Sequence, residues 1–242
     1  KDHKIVYANT NMGVVKSNDG GKNWSYTALK KTFPDTFGSL MLLDLTSTSN
    51  DIVYATTEEK GKYKILKSVN GGKSWIEKYQ TNKRIWDMRV KLDDANVVFI
   101  LEESSKTDWI NFKKSADSGS SFTSVNNGYP ADHSTKSHRG RLATTPANNN
   151  VVYVVIGYNG GDANDKISFF KSSDAGKSFV KKNNVEVNEP LVNAMGPKDF
   201  LNGTCHLAQI TWNLAFTVSE TDENFIACAA NKIKVSTDGG AT

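Results

Sequence analysis

Ser172-Ser173-Asp174-Ala175-Gly176-Lys177-Ser178-Phe179 is a short polar phrase that follows a hydrophobic run, and it recurs five times in a chain of 242 residues. The other copies are Ser17-Asn18-Asp19-Gly20-Gly21-Lys22-Asn23-Trp24, Ser68-Val69-Asn70-Gly71-Gly72-Lys73-Ser74-Trp75, Ser115-Ala116-Asp117-Ser118-Gly119-Ser120-Ser121-Phe122 and Ser236-Thr237-Asp238-Gly239-Gly240-Ala241-Thr242. The leading serines stand 47 to 64 residues apart, a period that suits one small sheet per repeat, whereas helical solenoids repeat faster.

Each phrase reads as a hairpin turn. The Asp or Asn oxygen can accept backbone N–H bonds inside the loop, glycine supplies positive φ without a Cβ clash, and the leading Ser adds another local bond. Trp24, Trp75, Phe122 and Phe179 then open the outgoing strand and can cover the hairpin with an apolar ring. The runs ahead of the phrase are rich in Val, Ile, Tyr and Phe, as in Asp51-Ile52-Val53-Tyr54-Ala55-Thr56-Thr57 and Lys64-Ile65-Leu66-Lys67. Such composition predicts strands.

The five phrases resemble the Asp box, Ser-x-Asp-x-Gly-x-Thr-Trp, of sialidase-like, sortilin-like and related β-propellers (BNR repeats). The positions that carry the likeness are Ser17, Asp19, Gly21 and Trp24; Ser68, Asn70, Gly72 and Trp75; Ser115, Asp117, Gly119 and Phe122; Ser172, Asp174, Gly176 and Phe179; and Ser236, Asp238 and Gly240. Asn70 replaces Asp, and two phenylalanines replace Trp. In those families the box is a structural turn away from the active site, so the resemblance implies architecture, not sialidase activity.

A second recurring block precedes each phrase: a strand, a turn with Asn, and a second strand, as in Trp86-Asp87-Met88-Arg89-Val90 followed by Asn96-Val97-Val98-Phe99. One repeat is therefore strand A, Asn turn, strand B, loop, strand C, polar phrase, strand D. The expected fold is an all-β propeller of four-stranded antiparallel blades, with blades near 1–36, 37–82, 83–127, 138–184 and 206–242. Both ends read as cut mid-blade, within a larger propeller. In such an array the B–C loops and the inter-blade connectors share one face, where length variation builds specificity.

Composition narrows the partners. No apolar run approaches 18 residues, so no segment here reads as a membrane-spanning helix. A net charge of +4 is spread over single lysines without a basic block, which argues against nucleic acid. Neither a metal nor a cofactor is expected. Cys205 and Cys228 leave both a disulfide and two thiols open.

Catalysis was weighed on the acids and arginines. A sialidase needs an arginine cluster, and the chain holds only Arg84, Arg89, Arg139 and Arg141. Xyloglucan-cleaving relatives use two loop carboxylates; Asp87, Asp132, Asp162, Asp165 and Asp199 lie nearest the variable face, yet no spacing pairs them. No catalytic residue is assigned. The starts of the A strands carry the candidate binding set: Arg84, Trp86 and Asp87; His138, Arg139 and Arg141; His206, Gln209 and Trp212. Indole faces there suit sugar rings or peptide side chains, with Arg and His as hydrogen-bonding groups. The alternative for both tryptophans is inter-blade packing.

The last repeat, Gln209 to Val218 with Ile233 to Thr242, resembles large secreted Bacteroidetes multi-repeat proteins exported by type IX secretion. That resemblance implies a secreted or cell-surface location and a non-catalytic binding or scaffold role toward a protein or glycan, within a larger surface or secretion assembly. Sortilin-like receptors and photosystem assembly factors share the same architecture. The alternative is a glycoside hydrolase of xyloglucanase-like or sialidase-like type with acids on the same loops.

Overall fold

In the computed structural model the described residues are 2–30, 42–45, 48–104, 109–130, 137–159, 165–182, 214–229 and 233–240. They form strands and turns without an α-helix. The first sheet joins β1 (Val6–Thr10), β2 (Gly13–Ser17) and β3 (Ser25–Lys30); the second joins β4 (Leu43–Leu45), β5 (Val53–Glu59), β6 (Lys62–Ser68) and β7 (Ile76–Thr81). The third contains β8 (Ile85–Val90), β9 (Val98–Glu103), β10 (Ile110–Ser115) and β11 (Thr123–Ser124). The fourth contains β12 (Ser137–Thr145), β13 (Asn148–Asn159), β14 (Asp165–Ser172) and β15 (Val180–Lys181), and the fifth β16 (Ala215–Val218), β17 (Ile226–Ala229) and β18 (Ile233–Ser236). In every sheet, strands adjacent in sequence are neighbours. Residues 1–99 with 115–122 make one compact unit, and 100–114 with 123–242 a second.

The five polar phrases share one hydrogen-bond pattern. Each leading serine hydroxyl donates to the Asp or Asn Oδ1 two residues on, at 2.6–3.0 Å. It also accepts the N–H of Gly21, Gly72, Gly119, Gly176 or Gly240 at 2.8–2.9 Å. In the first four copies the same Oδ1 accepts the N–H four residues on, from Asn23, Ser74, Ser121 and Ser178, each at 2.9 Å. Two successive residues take positive φ at each tip, and Ser118 (63°) and Ala175 (57°) do so without being glycine. That conformation is uncommon for a residue with a Cβ, so the surrounding hydrogen bonds hold it. Asn70 works because its Nδ2 donates to Ser74 Oγ at 2.8 Å, where Asp117 instead accepts from Ser121 Oγ.

The aromatic that closes the phrase does more than cover its own hairpin. Phe122 meets Tyr79 of the preceding sheet edge to face at 4.9 Å, Phe179 meets Phe112 at 4.7 Å, and Trp75 packs on the cluster of Val14 and Ala55, as do Tyr7, Leu29 and Leu43. Trp24 is the exception: it folds back on its own turn, its indole N–H donating to Gly21 O at 2.9 Å, and stays 44% exposed.

A second device links successive sheets. Tyr7, Tyr54 and Tyr153 donate their hydroxyls to the carbonyls of Asn50, Ala95 and Glu223 at 2.7–2.9 Å. Lys16, Lys67 and Lys171 lie over the same rings at 5.2–5.4 Å. Lys67 Nζ then reaches Ser118 Oγ (3.0 Å), Lys171 Nζ reaches Asn224 Oδ1 (2.8 Å), and Lys114 Nζ reaches Ala175 O (2.7 Å). Burial pushes the Tyr54 phenol up to about 12 and draws the Lys67 ammonium below its ordinary value. Between these polar edges the apolar faces meet: Ala143, Val151, Tyr153, Val155 and Phe169 pack on Leu214, Val218, Ile226 and Cys228. Cys228 is a buried thiol, raised to about 12 by desolvation, and Cys205 lies outside the described residues.

Candidate functional site

The A strands carry polar groups between apolar neighbours, and in the first unit they converge. Arg84, just ahead of β8, lays its guanidinium 3.9 Å from the centroid of the Trp86 ring, which is buried. Asp87 is 2% exposed and accepts from Arg89 Nη1 at 3.0 Å and from Met88 N at 2.9 Å. Asp44, on β4, accepts the N–H of Val90 at 2.6 Å. Desolvation pushes Asp44 up to about 6; the Arg89 charge and the N–H groups of Val90 and Leu45 oppose that rise, and the Asp87 charge adds to it. The arrangement is a bridge between two A strands. Both carboxylates are held by backbone N–H groups and one guanidinium.

Asp44 was missed in the sequence. Its signal was an acid between two apolar strand residues, Leu43-Asp44-Leu45, the same pattern as Trp86-Asp87-Met88. In the second unit Arg141 Nε donates to Leu214 O at 3.0 Å, tying β12 to the segment before β16. Arg139 pairs in register with Gly157, and the register shifts between Ser137 and Arg139, placing His138 at a β-bulge. The His138 side chain lies outside the described residues, as do His206, Gln209, Trp212, Asp132, Asp162 and Asp199. Asp165 opens β14.

The second unit also contains a cleft of about 440 Å³, lined by Trp109, Asn126, Gly128, Tyr129, Pro130, Ser168, Phe170 and Lys181. That volume falls in the roughly 300–1,000 Å³ range of small-molecule sites. Trp109 stands at the end of the loop between β9 and β10, residues 126–130 belong to the connector between β11 and β12, and Ser168 and Phe170 alternate onto one face of β14. The connector is fastened at four points. Val125 N donates to Phe112 O (3.1 Å), Phe179 N to Asn127 O (2.9 Å), Tyr129 Oη to Ile110 O (2.7 Å) and Trp109 Nε1 to Pro130 O (2.9 Å). Gly128 is required there: at φ 72°, a Cβ would sit 1.8 Å from Phe179 O. Tyr129 stacks among Phe112, Phe170 and Phe179 with centroids 5.0–6.2 Å away. The indole N–H and the phenol O–H are turned to main-chain carbonyls, and Trp109, Tyr129 and Phe170 back the cleft as buried rings, 1–2% exposed, so its accessible lining comes from Asn126, Gly128, Pro130 and Lys181. Nothing in a single sequence brings these distant residues together.

No family model matches the sequence, and no curated protein matches it significantly. Solved structures do match. A GH74 enzyme from Niastella koreensis superposes with a TM-score of 0.66 at 15% identity over 100% of this chain, and the GH74 xyloglucanase of Xanthomonas campestris with 0.64 at 11% identity over 99%. An α-L-arabinofuranosidase from Fusarium graminearum gives 0.58 at 14% identity, covering 95% of this chain and 70% of that one. The fold is a β-propeller. Its antiparallel sheets, three of four strands and two of three among the described residues, are the blades, with strands in simple sequence order. The chain spans 36% of the length of either GH74 enzyme, and identities this low carry the fold alone.

Proposed function

We propose that this chain is a non-catalytic binding segment of an exported β-propeller protein, seating a glycan in the cleft formed by Trp109, the 126–130 connector and β14. The cleft carries the reading: its volume suits a small ligand, and the exposed Asn126 amide beside the half-buried Pro130 ring can meet a sugar over a rigid wall of buried aromatic rings. Its connector is pinned at four points, so little ordering is needed on binding. The five turns resemble the Asp box in residue pattern and share one hydrogen-bond pattern among themselves, and that resemblance favours a secreted or cell-surface protein of that superfamily, with type IX export as the specific route. A scaffold role toward a protein, through the other loops of the same face, belongs to the same reading.

A hydrolase is the second reading. In its favour stand the glycoside hydrolases among the structural neighbours and two nearby carboxylates of which Asp44 is raised toward neutral pH, as a general acid requires. Against it, Asp87 is almost fully buried and already accepts from Met88 N and the Arg89 guanidinium, and Asp44 accepts the N–H of Val90. The test is to incubate the chain with xyloglucan, arabinan and pectic polysaccharides, measuring retention in affinity electrophoresis and new reducing ends. Retention without cleavage is expected. Turnover abolished by Asp44→Asn or Asp87→Asn would replace binding with hydrolysis.

A further inference from the structure

We infer that Asn127-Gly128, in the connector between β11 and β12, is a modification site at which Asn127 deamidates spontaneously to aspartate or isoaspartate. Asparagine before glycine is the pair most open to this reaction, because no Cβ shields the following amide nitrogen. The Gly128 nitrogen attacks Cγ of the Asn127 side chain, the new C–N bond closes a cyclic imide, and Nδ2 leaves as ammonia with the proton that Gly128 gave up. Water then opens the imide at either carbonyl, so amide and water become carboxylate and ammonium. The reaction needs only water, whatever the cleft binds.

The Asn-Gly and Asp-Gly pairs within the described residues are Asp19-Gly20, Asn70-Gly71, Asn127-Gly128 and Asp238-Gly239. At the polar turns the glycine N–H is already committed: Gly20 donates to Lys4 O at 2.8 Å, Gly71 to Asp51 O at 3.0 Å and Gly239 to Asn224 O at 2.9 Å. Attack requires that bond to break. The Asn70 amide is held as well, its Oδ1 accepting from Ser68 Oγ (3.0 Å) and Ser74 N (2.9 Å) while Nδ2 donates to Ser74 Oγ (2.8 Å).

Asn127-Gly128 inverts both conditions. The two residues are exposed, and among the described residues neither the Gly128 N–H nor the Asn127 side chain has a hydrogen-bond partner. The Asn127 carbonyl, by contrast, accepts the Phe179 N–H at 2.9 Å. Deprotonating the Gly128 nitrogen spreads negative charge onto that carbonyl oxygen, and a main-chain donor already aimed at it stabilises the charge as an oxyanion hole does. The turn holds the oxygen and leaves the nitrogen able to attack. Aspartate then adds a negative charge to the connector. Isoaspartate also routes the main chain through the former side chain and lengthens it by one carbon. Gly128 has no slack for that, since a Cβ on it would already meet Phe179 O at 1.8 Å, so the bond from Phe179 N is the fastening that isoaspartate releases.

The experiment is incubation of the folded chain in heavy-oxygen water from neutral to mildly alkaline pH, followed by peptide mapping in a mass spectrometer. Each conversion adds the amide-to-acid mass change together with the oxygen label. Asn127 should convert at least about tenfold faster than Asn70, the factor set by one hydrogen bond that must break before attack, and faster as pH rises. In urea, where both turns are lost, the two asparagines should convert at similar rates, because each precedes glycine. Asn127→Gln, an exposed change whose longer side chain closes its ring slowly, should abolish the product there and leave Asn70 unaltered. Asn70 converting as fast as Asn127 in the folded chain, or Asn127 staying intact while the unfolded chain converts it, overturns the assignment.

Discussion

Replacing Ser172 with Ala removes one oxygen from a turn and tests whether that oxygen holds the repeat together. Ser172 is 1% exposed; its hydroxyl donates to Asp174 Oδ1 at 2.7 Å and accepts Gly176 N at 2.8 Å and, more weakly, Asp174 N at 3.3 Å. The Gly176 bond is buried, so the substitution leaves a main-chain donor with no access to water. Two lost bonds at a net of about 1 kcal/mol each, with about 1–2 kcal/mol for the orphaned N–H, give a destabilisation of about 3–4 kcal/mol. Hardly any apolar surface changes, so the loss is read almost wholly from hydrogen bonding. Urea unfolding followed by tryptophan fluorescence and circular dichroism should show the midpoint fall with an unchanged slope. Ser173→Ala, one residue along and exposed, is the control and should stay within about 0.5 kcal/mol. A Ser172→Ala loss below about 0.5 kcal/mol would refute the claim that the serine organises the turn.

Three further outcomes follow from the same geometry. Tyr54→Phe should cost about 1–2 kcal/mol in thermal unfolding, because Ala95 O loses its 2.7 Å donor, and a double-mutant cycle with Lys67→Met should show coupling of about 0.5–1 kcal/mol. Asn70→Asp should be tolerated or mildly stabilising at pH 7, with Ser74 Oγ turning from acceptor to donor as Ser121 does toward Asp117; a loss above about 1 kcal/mol would contradict the turn chemistry. The Asp44 carboxyl is raised in the folded state, so the native protein binds its proton more tightly than the unfolded chain and stability should fall as pH rises from about 4 to 6, by roughly 1–3 kcal/mol. Asp44→Asn should remove that slope in pH-dependent urea titrations. The turn acids act in the opposite direction: hydrogen bonds from Ser121 and Ser115 depress Asp117, so its contribution persists at neutral pH and is lost only as pH falls below the ordinary carboxylate range.

The turns were legible because their chemistry is local: Ser, Asp and Gly at fixed offsets make their hydrogen bonds within five residues, and the spacing of the phrases measures one sheet. The link between sheets was partly visible and went unread. Lys16, Lys67, Lys114 and Lys171 each immediately precede the serine of the phrase, and the last copy has Val235 in that place. Lys16, Lys67 and Lys171 lie over a strand B tyrosine, and Lys67, Lys114 and Lys171 reach groups of the following repeat, by a register that a single sequence does not display. The candidate set at the A strands resolved differently. Trp86 is a packing residue topped by Arg84, and Asp87 is locked to Arg89, so buried neighbours absorbed groups that had read as accessible. The cleft was illegible for the converse reason, since its lining is drawn from four separate segments whose tyrosine and tryptophan look like ordinary loop and strand residues in isolation.

The indole and amide resonances of the ¹⁵N-labelled chain, followed as xyloglucan, arabinan or pectic oligosaccharides are added, test the account most directly. Perturbation should centre on the Trp109 indole and the amides of residues 126–130, 168–170 and 181, with the five turns and the Asp44–Asp87 bridge silent. Shifts centred on Asp44, Asp87 and Arg89 would place the ligand on β4 and β8 and contradict the account.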